Sequence, residues 1–147
     1  MAQPNLAGLA LCLALLPLTG CGALRSWRHV EQELPTRTLD TGVVAEDLAL
    51  GGGPAAASGD RLTVHYTGTF PDGSPFDSSR DRGAPLAFIL GEAPIPGWNE
   101  GLLGVRPGGL RRLTLPPERA YGSAGIPGLV PPNTTLVFEI ELLSLGE

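Results

Sequence analysis

Three features of this sequence predict an α+β domain in which an antiparallel sheet lays one face on a single short helix. Residues 61–68 and 135–143 alternate apolar and polar side chains with the two-residue period of half-buried strands. Only residues 97–103 look helical, with Trp98 and Leu102 at i and i+4. The chain of 147 residues carries 21 glycines and 15 prolines, enough punctuation to keep every element short. Its length suits one domain of ordinary size.

Along the chain, residues 43–50 form a weak strand candidate closed by Gly51, Gly52, Gly53 and Pro54, and Gly59 and Asp60 mark a turn. In residues 61–68, Leu62, Val64 and Tyr66 share one face while Thr63, His65 and Thr67 take the other. Pro71, Asp72, Gly73 and Ser74 are turn residues that reverse the chain into the segment holding Phe76 and Asp77. Further strands are expected at residues 85–90 and 110–115. The strongest is 135–143, where Leu136, Phe138, Ile140 and Leu142 face away from Thr135, Val137, Glu139 and Glu141. The helix stops at Gly104 and Pro107. That makes about five strands and one helix. The anomaly is the connection 116–133, since structureless loops longer than about 12–15 residues are uncommon unless functional. It contains AYGSAGIPGLVPPN, in which Tyr121, Ile126, Leu129 and Val130 lie among glycines and prolines.

The N-terminus reads as a separate unit. Residues 6–18 are an apolar run of about a dozen residues, too short to span a bilayer and the length of a signal-peptide core. The run is followed by Thr19, Gly20 and Cys21, a pattern similar to the bacterial lipobox, in which the cysteine is lipidated and begins the mature chain. No Lys or Arg precedes the run, unlike most such signals, and an ordinary secretory signal is the alternative. The expected division is a signal over residues 1–20, lipidated Cys21 with a tether to residue 41, and a domain over 42–147. Within the tether, residues 26–34 have the makings of a short helix. Acyl chains on Cys21 would hold the domain at a membrane of the bacterial cell envelope, facing the periplasm or the cell surface, without a spanning helix.

Composition excludes several chemistries. Cys12 leaves with the signal and Cys21 would carry lipid, so the mature chain has no disulfide or cysteine metal site, and His29 and His65 are too few for a histidine one. The net charge of -5 offers no field to nucleic acid. All 10 basic residues are arginine, which excludes Schiff-base and P-loop chemistry. There is no Gly-x-Ser-x-Gly, no HExxH and no phosphate-cradling glycine loop, so neither metal nor cofactor is expected. His65, mid-strand on the polar face, reads as structural. Asp77 beside Phe76 must be solvated, paired or used; Arg80 and Arg82 are close enough in sequence to pair with it.

In order, the chain carries His65-Tyr66-Thr67-Gly68, Phe76-Asp77-Ser78-Ser79-Arg80-Asp81-Arg82, Pro96-Gly97-Trp98, Ala120-Tyr121-Gly122, Leu129-Val130-Pro131-Pro132-Asn133 and residues 135–142. From about residue 42 to the C-terminus this series closely resembles the FKBP-type peptidyl-prolyl cis-trans isomerases. The resemblance implies a curved five-stranded antiparallel sheet wrapped over one short helix, and a rotamase acting on proline-containing polypeptides. Carried over residue by residue, it places Trp98 at the floor of a proline pocket, with Tyr66, Phe76 and Phe138 as walls and Phe88 beside them. Asp77 and Tyr121 become polar edge groups, Arg82 holds Asp77, the Ile95 N–H takes a substrate carbonyl, and Ile126, Leu129 and Val130 form the rim. Asp77, Tyr121 and Trp98 are thereby the implied catalytic residues, and FK506-type macrolides an implied ligand class. Leu86 stands where an aromatic is common, Ile126 where some members have histidine, and residues 92–96 are one residue shorter. A binding or chaperone module on the same fold, with little turnover, is the alternative.

Overall fold

The computed structural model describes residues 34–146. The signal segment, Cys21, and the tether and helix expected before residue 34 lie outside these residues. The compact unit starts at Leu34 and contains β1 (Thr36–Thr38), β2 (Val44–Ala49), β3 (Arg61–Thr69), β4 (Pro75–Ser78), β5 (Leu86–Ile89), α1 (Pro96–Gly101), β6 (Leu110–Leu115), a 3-10 turn (Pro117–Arg119) and β7 (Leu136–Leu145).

Every strand pairing is antiparallel, and the class expected from the alternation is the one found. The sheet has 7 strands in the order β1-β2-β6-β7-β3-β4, with β5 also on β3, where five were expected. The two additional strands, β1 and β4, are among the three shortest. β1 has 3 exposed residues, too few for a period to show. It lies inside the stretch expected to be tether, held there by pairing with β2 and by a tight turn in which Leu39 N–H donates to Val43 O at 2.8 Å. β4 has 4 residues and begins with proline, which cannot donate to a ladder.

The long strands explain the core. Leu62, Val64 and Tyr66 of β3, Leu113 and Leu115 of β6, and Leu136, Phe138, Ile140 and Leu142 of β7 are all buried, as are Trp98 and Leu102. Each buried side chain of this size contributes about 1.5–3 kcal/mol. The opposite face carries ion pairs, among them Arg112 between Glu46 and Glu139.

Helix α1 is only 6 residues long and has no side-chain N-cap hydrogen bond; such a helix is unstable by itself. Its glycines let it lie directly on β6. A methyl at Gly97 would come within 2.6 Å of Leu115 Cδ2 and 2.9 Å of the Arg119 carbonyl, and one at Gly101 within 2.7 Å of Leu113 Cδ2. Gly97→Ala is expected to destabilise the domain by about 1–3 kcal/mol, because backbone must move. Gly101→Ala should cost less, since Leu113 can rotate and alanine gains about 1 kcal/mol in helix propensity. Urea denaturation midpoints check the difference.

Candidate active site

The site grows from the end of β3 where β4 crosses it. Tyr66 is fixed through its backbone by the fully buried Ser79: Tyr66 N–H donates to Ser79 Oγ at 2.8 Å, and Ser79 N–H donates to Tyr66 O at 3.0 Å. His65 Nδ1 lies 2.9 Å from the same Ser79 hydroxyl, so His65 braces this strand and does not reach the site, as its place on the polar face predicts. Register pairing of Gly68 with Asp77 sets the Asp77 carboxylate beside the Tyr66 ring. Tyr66 O–H donates to Asp77 Oδ2 at 2.7 Å. Arg82 Nη2 donates to the Tyr66 oxygen at 2.7 Å, its other nitrogen pairs with Asp77 Oδ1, and its Cζ stands 5.6 Å from the Tyr66 centroid. The sequence places Arg82 against Asp77; that Tyr66 completes a triangle emerges only in three dimensions. Arg80 pairs instead with Glu141.

Behind this polar edge lies a cluster of rings. Trp98 is fully buried and meets Tyr66 edge-on at 5.1 Å, Phe138 edge-on at 5.3 Å and Phe88 at 5.6 Å. Phe76 stands edge-on to Phe138 at 5.7 Å. These are the separations at which aromatic pairs attract beyond area burial. The indole is closed off from solvent, with Tyr66 and Phe138 edge-on against it. Trp98 Nε1 is buried with no hydrogen-bond partner among the described residues, a costly state for a donor.

Ile95, the extended residue before α1, is buried and its N–H has no partner among the described residues. Its position is set from two sides. Trp98 N–H donates to Ile95 O at 3.0 Å. Asn99 Oδ1 accepts from Gly91 N–H at 2.9 Å and Ala93 N–H at 2.8 Å, fixing the turn that leads to Ile95. Sequence reasoning passed over Asn99, whose only signal is a short polar side chain one residue after the tryptophan.

The long connection is an ordered flap. The 3-10 turn opens it, Asn133 N–H donates to Gly122 O at 2.8 Å to close its base, and Ile126 and Val130 exchange two backbone hydrogen bonds of 2.8 Å at its tip. Gly125, at φ 59, has Val130 O only 2.3 Å from where a Cβ would stand, so no other residue fits there. Arg119 Nε donates to Glu100 Oε1 at 2.7 Å, tying the flap's root to α1. Val130 is buried and Ile126 packs against the core, whereas Leu129 is 43% exposed. A depression of about 490 Å³ follows the flap from Ala124 to Pro132, and another of about 430 Å³ opens beside Phe76, Asp77 and Arg82.

Tyr121 is half-buried in the flap, and its hydroxyl has no partner among the described residues. Burial, then the neighbouring Tyr66 and Asp77, push its phenol up from 10.0. Burial is also the main cause that raises Tyr66, followed by the hydrogen bond to Asp77, with Arg82 opposing. Both hydroxyls therefore remain donors throughout the neutral range. The stability linked to them is present in full below about pH 10 and is lost as pH rises through their elevated values. Above pH 10, denaturation midpoints of Tyr66→Phe and Tyr121→Phe are expected to fall less steeply than those of the unaltered chain.

Residues 52–143 match the FKBP_C family, described as FKBP-type peptidyl-prolyl cis-trans isomerase. The FK506-binding protein of Neisseria meningitidis serogroup B is 49% identical over 107 residues, covering 72% of this chain and 98% of that relative. FkpA of Escherichia coli, an FKBP-type peptidyl-prolyl cis-trans isomerase, is 47% identical over 114 residues, 78% of this chain, and the matched region spans only 42% of the relative's length. The crystal structure of that FkpA superposes with a TM-score of 0.70 at 41% identity, covering 95% of this chain and 63% of the other. Family match, relatives and superposition agree with the ring cluster and polar edge: the chain belongs to the FKBP-type peptidyl-prolyl cis-trans isomerase family.

Proposed function

We propose that this protein is a peptidyl-prolyl cis-trans isomerase that accelerates X-Pro rotation in exported polypeptides. The observation that carries the reading is an aromatic cluster around Trp98 bordered by the Ile95 N–H and the Tyr121 hydroxyl, two donors with no partner among the described residues. Rotation about a peptide bond faces a barrier of about 18–20 kcal/mol, because amide resonance must be lost, and for X-Pro bonds it is slow enough to limit folding. Speeding it requires no nucleophile and no proton transfer, only tighter binding of the twisted amide than of the planar one. The planar amide has the larger dipole and the stronger hydration, so a dry ring-lined site disfavours it. Donors fixed where the rotated carbonyl arrives stabilise the twisted form selectively. Ile95 N–H and Tyr121 O–H take that part, Asp77 and Arg82 hold Tyr66 at the edge, and Ile126, Leu129 and Val130 meet the chain beyond the proline.

The decisive measurement is isomerisation of a proline tetrapeptide by the full chain, followed by NMR exchange or a coupled protease. Acceleration supports the enzyme. Peptide binding without acceleration supports a holding module on the same fold. FK506-type macrolides, after which the Neisseria relative is named, are expected to compete with peptide.

The anchor belongs to the same proposal. The apolar run over residues 6–18 and Cys21 after Thr19 and Gly20 support lipidation in the cell envelope; among the described residues no helix is long and apolar enough to cross a membrane. Mass spectrometry of the mature N-terminus is expected to find acylated Cys21, and an unmodified terminus elsewhere would overturn the anchor.

A further inference from the structure

Strand β6 puts Arg111, Leu113 and Leu115 on its buried face, and β2 puts Ala45 and Asp47 on its own. Two opposite charges thus enter the core directly opposite each other in register. Arg111 Nε donates to Asp47 Oδ1 at 2.6 Å, with side-chain exposures of 5% and 8%. Arg111 Nη1 donates further, to Gly101 O at 3.0 Å and to Leu103 O at 2.8 Å. Those are carbonyls at the C-terminal end of α1, where a helix leaves its last acceptors unsatisfied and favours a cation.

A buried ion pair is a poor source of stability, because desolvation offsets most of the attraction and an apolar pair of similar volume often serves as well. What an apolar pair cannot do is donate two hydrogen bonds to the end of a helix. We propose that the Arg111–Asp47 pair is a positioning device for Trp98: Asp47 orients the guanidinium, and the guanidinium fixes the translation and rotation of the helix that carries the indole. Other contacts also hold this end, Glu100 to Arg119 at 2.7 Å, the buried Leu102, and Gly104 N–H to Ala56 O at 2.8 Å, but Arg111 is the buried side chain that donates to the carbonyls of both Gly101 and Leu103. Pro96 and Ile95 hold its start, and Gly97 and Gly101 allow close approach to β6. A displacement of about 1 Å at a catalytic group is enough to cost about a hundredfold in rate. The proposal rests on the isomerase reading.

The test uses the full chain with Trp27→Phe, which leaves Trp98 as its one tryptophan of the 2. Three variants are compared: Arg111→Met, Arg111→Lys, and the double change Asp47→Leu with Arg111→Met, for which a cavity of about 70 Å³ beside the pair leaves room. Arg111→Met strands Asp47 and is expected to lower both the melting temperature and kcat/KM. The double variant is expected to recover thermal stability while kcat/KM stays about tenfold low, with the loss mostly in kcat, because the helix carbonyls still lack their donor. Trp98 emission should shift, and acrylamide should quench it more readily. Arg111→Lys, with a point charge in place of the fork, should keep the fold and fall between. Wild-type kcat/KM and emission in the double variant would overturn the proposal. Should the double variant fail to fold, Arg111→Lys decides: retained stability with lowered kcat/KM and shifted emission supports positioning, and no change in either overturns it. Absence of turnover in the unaltered chain would retire the isomerase reading, and the emission comparison would still decide the clamp.

Discussion

Replacing Trp98 by alanine is expected to cost about 3–5 kcal/mol of folding stability and to remove nearly all turnover from what stays folded. The residue is fully buried among Tyr66, Phe88 and Phe138, so truncation opens a cavity that three rings cannot jointly close. Trp98→Phe separates the contributions. It keeps a ring, loses part of the area, and removes the unpartnered Nε1, whose burial costs about 1–3 kcal/mol. The net loss of stability should therefore be smaller than the lost area implies, while kcat/KM still falls because the floor of the site has changed shape. Urea midpoints and tetrapeptide kinetics on the same samples check both parts.

Asp77→Ala is expected to show the opposite balance: kcat/KM lower by about tenfold to a hundredfold, with stability changed by no more than about 1 kcal/mol. The side chains of Arg82 and Asp77 are 50% and 32% exposed, so solvent screens their pair. What the carboxylate supplies is direction. Without it the Tyr66 hydroxyl loses its acceptor, and Arg82 is left with the phenol oxygen alone. Asp77→Asn retains an acceptor for Tyr66 and should fall between. Equal kcat/KM in the alanine variant and the unaltered chain would remove Asp77 from the site.

Long-period information was legible in the sequence and short-range geometry was not. The alternation in β3, β6 and β7 is strong because each strand has one buried face, and Trp98 with Leu102 identified α1 within a residue or two. β1 escaped because three exposed residues cannot display a period, and β4 because it opens on a proline straight after a turn. Tyr66, Asp77 and Arg82 were each found as candidates, but the triangle they form depends on β4 crossing β3 at Gly68, which no local pattern encodes. Ser79 and Asn99 act through one hydroxyl and one amide on backbone, a role any polar residue in a turn has the chemistry to play. Arg111 was missed: beside Arg112 it reads as a small basic pair, although it is in step with the buried Leu113 and Leu115.

The order of the strands has a consequence for synthesis. β7, 10 residues near the end of the chain, sits between β6 and β3. While the ribosome still holds that segment, β1-β2-β6 is one ribbon and β3-β4-β5 another, with no seam joining them and Leu62, Val64, Leu113 and Leu115 unable to share a core. Contacts this distant in sequence form slowly. The two ribbons therefore join into one sheet only once residues 136–145 have emerged, and a chain stopped just before residue 136 is expected to lack the strand that joins them.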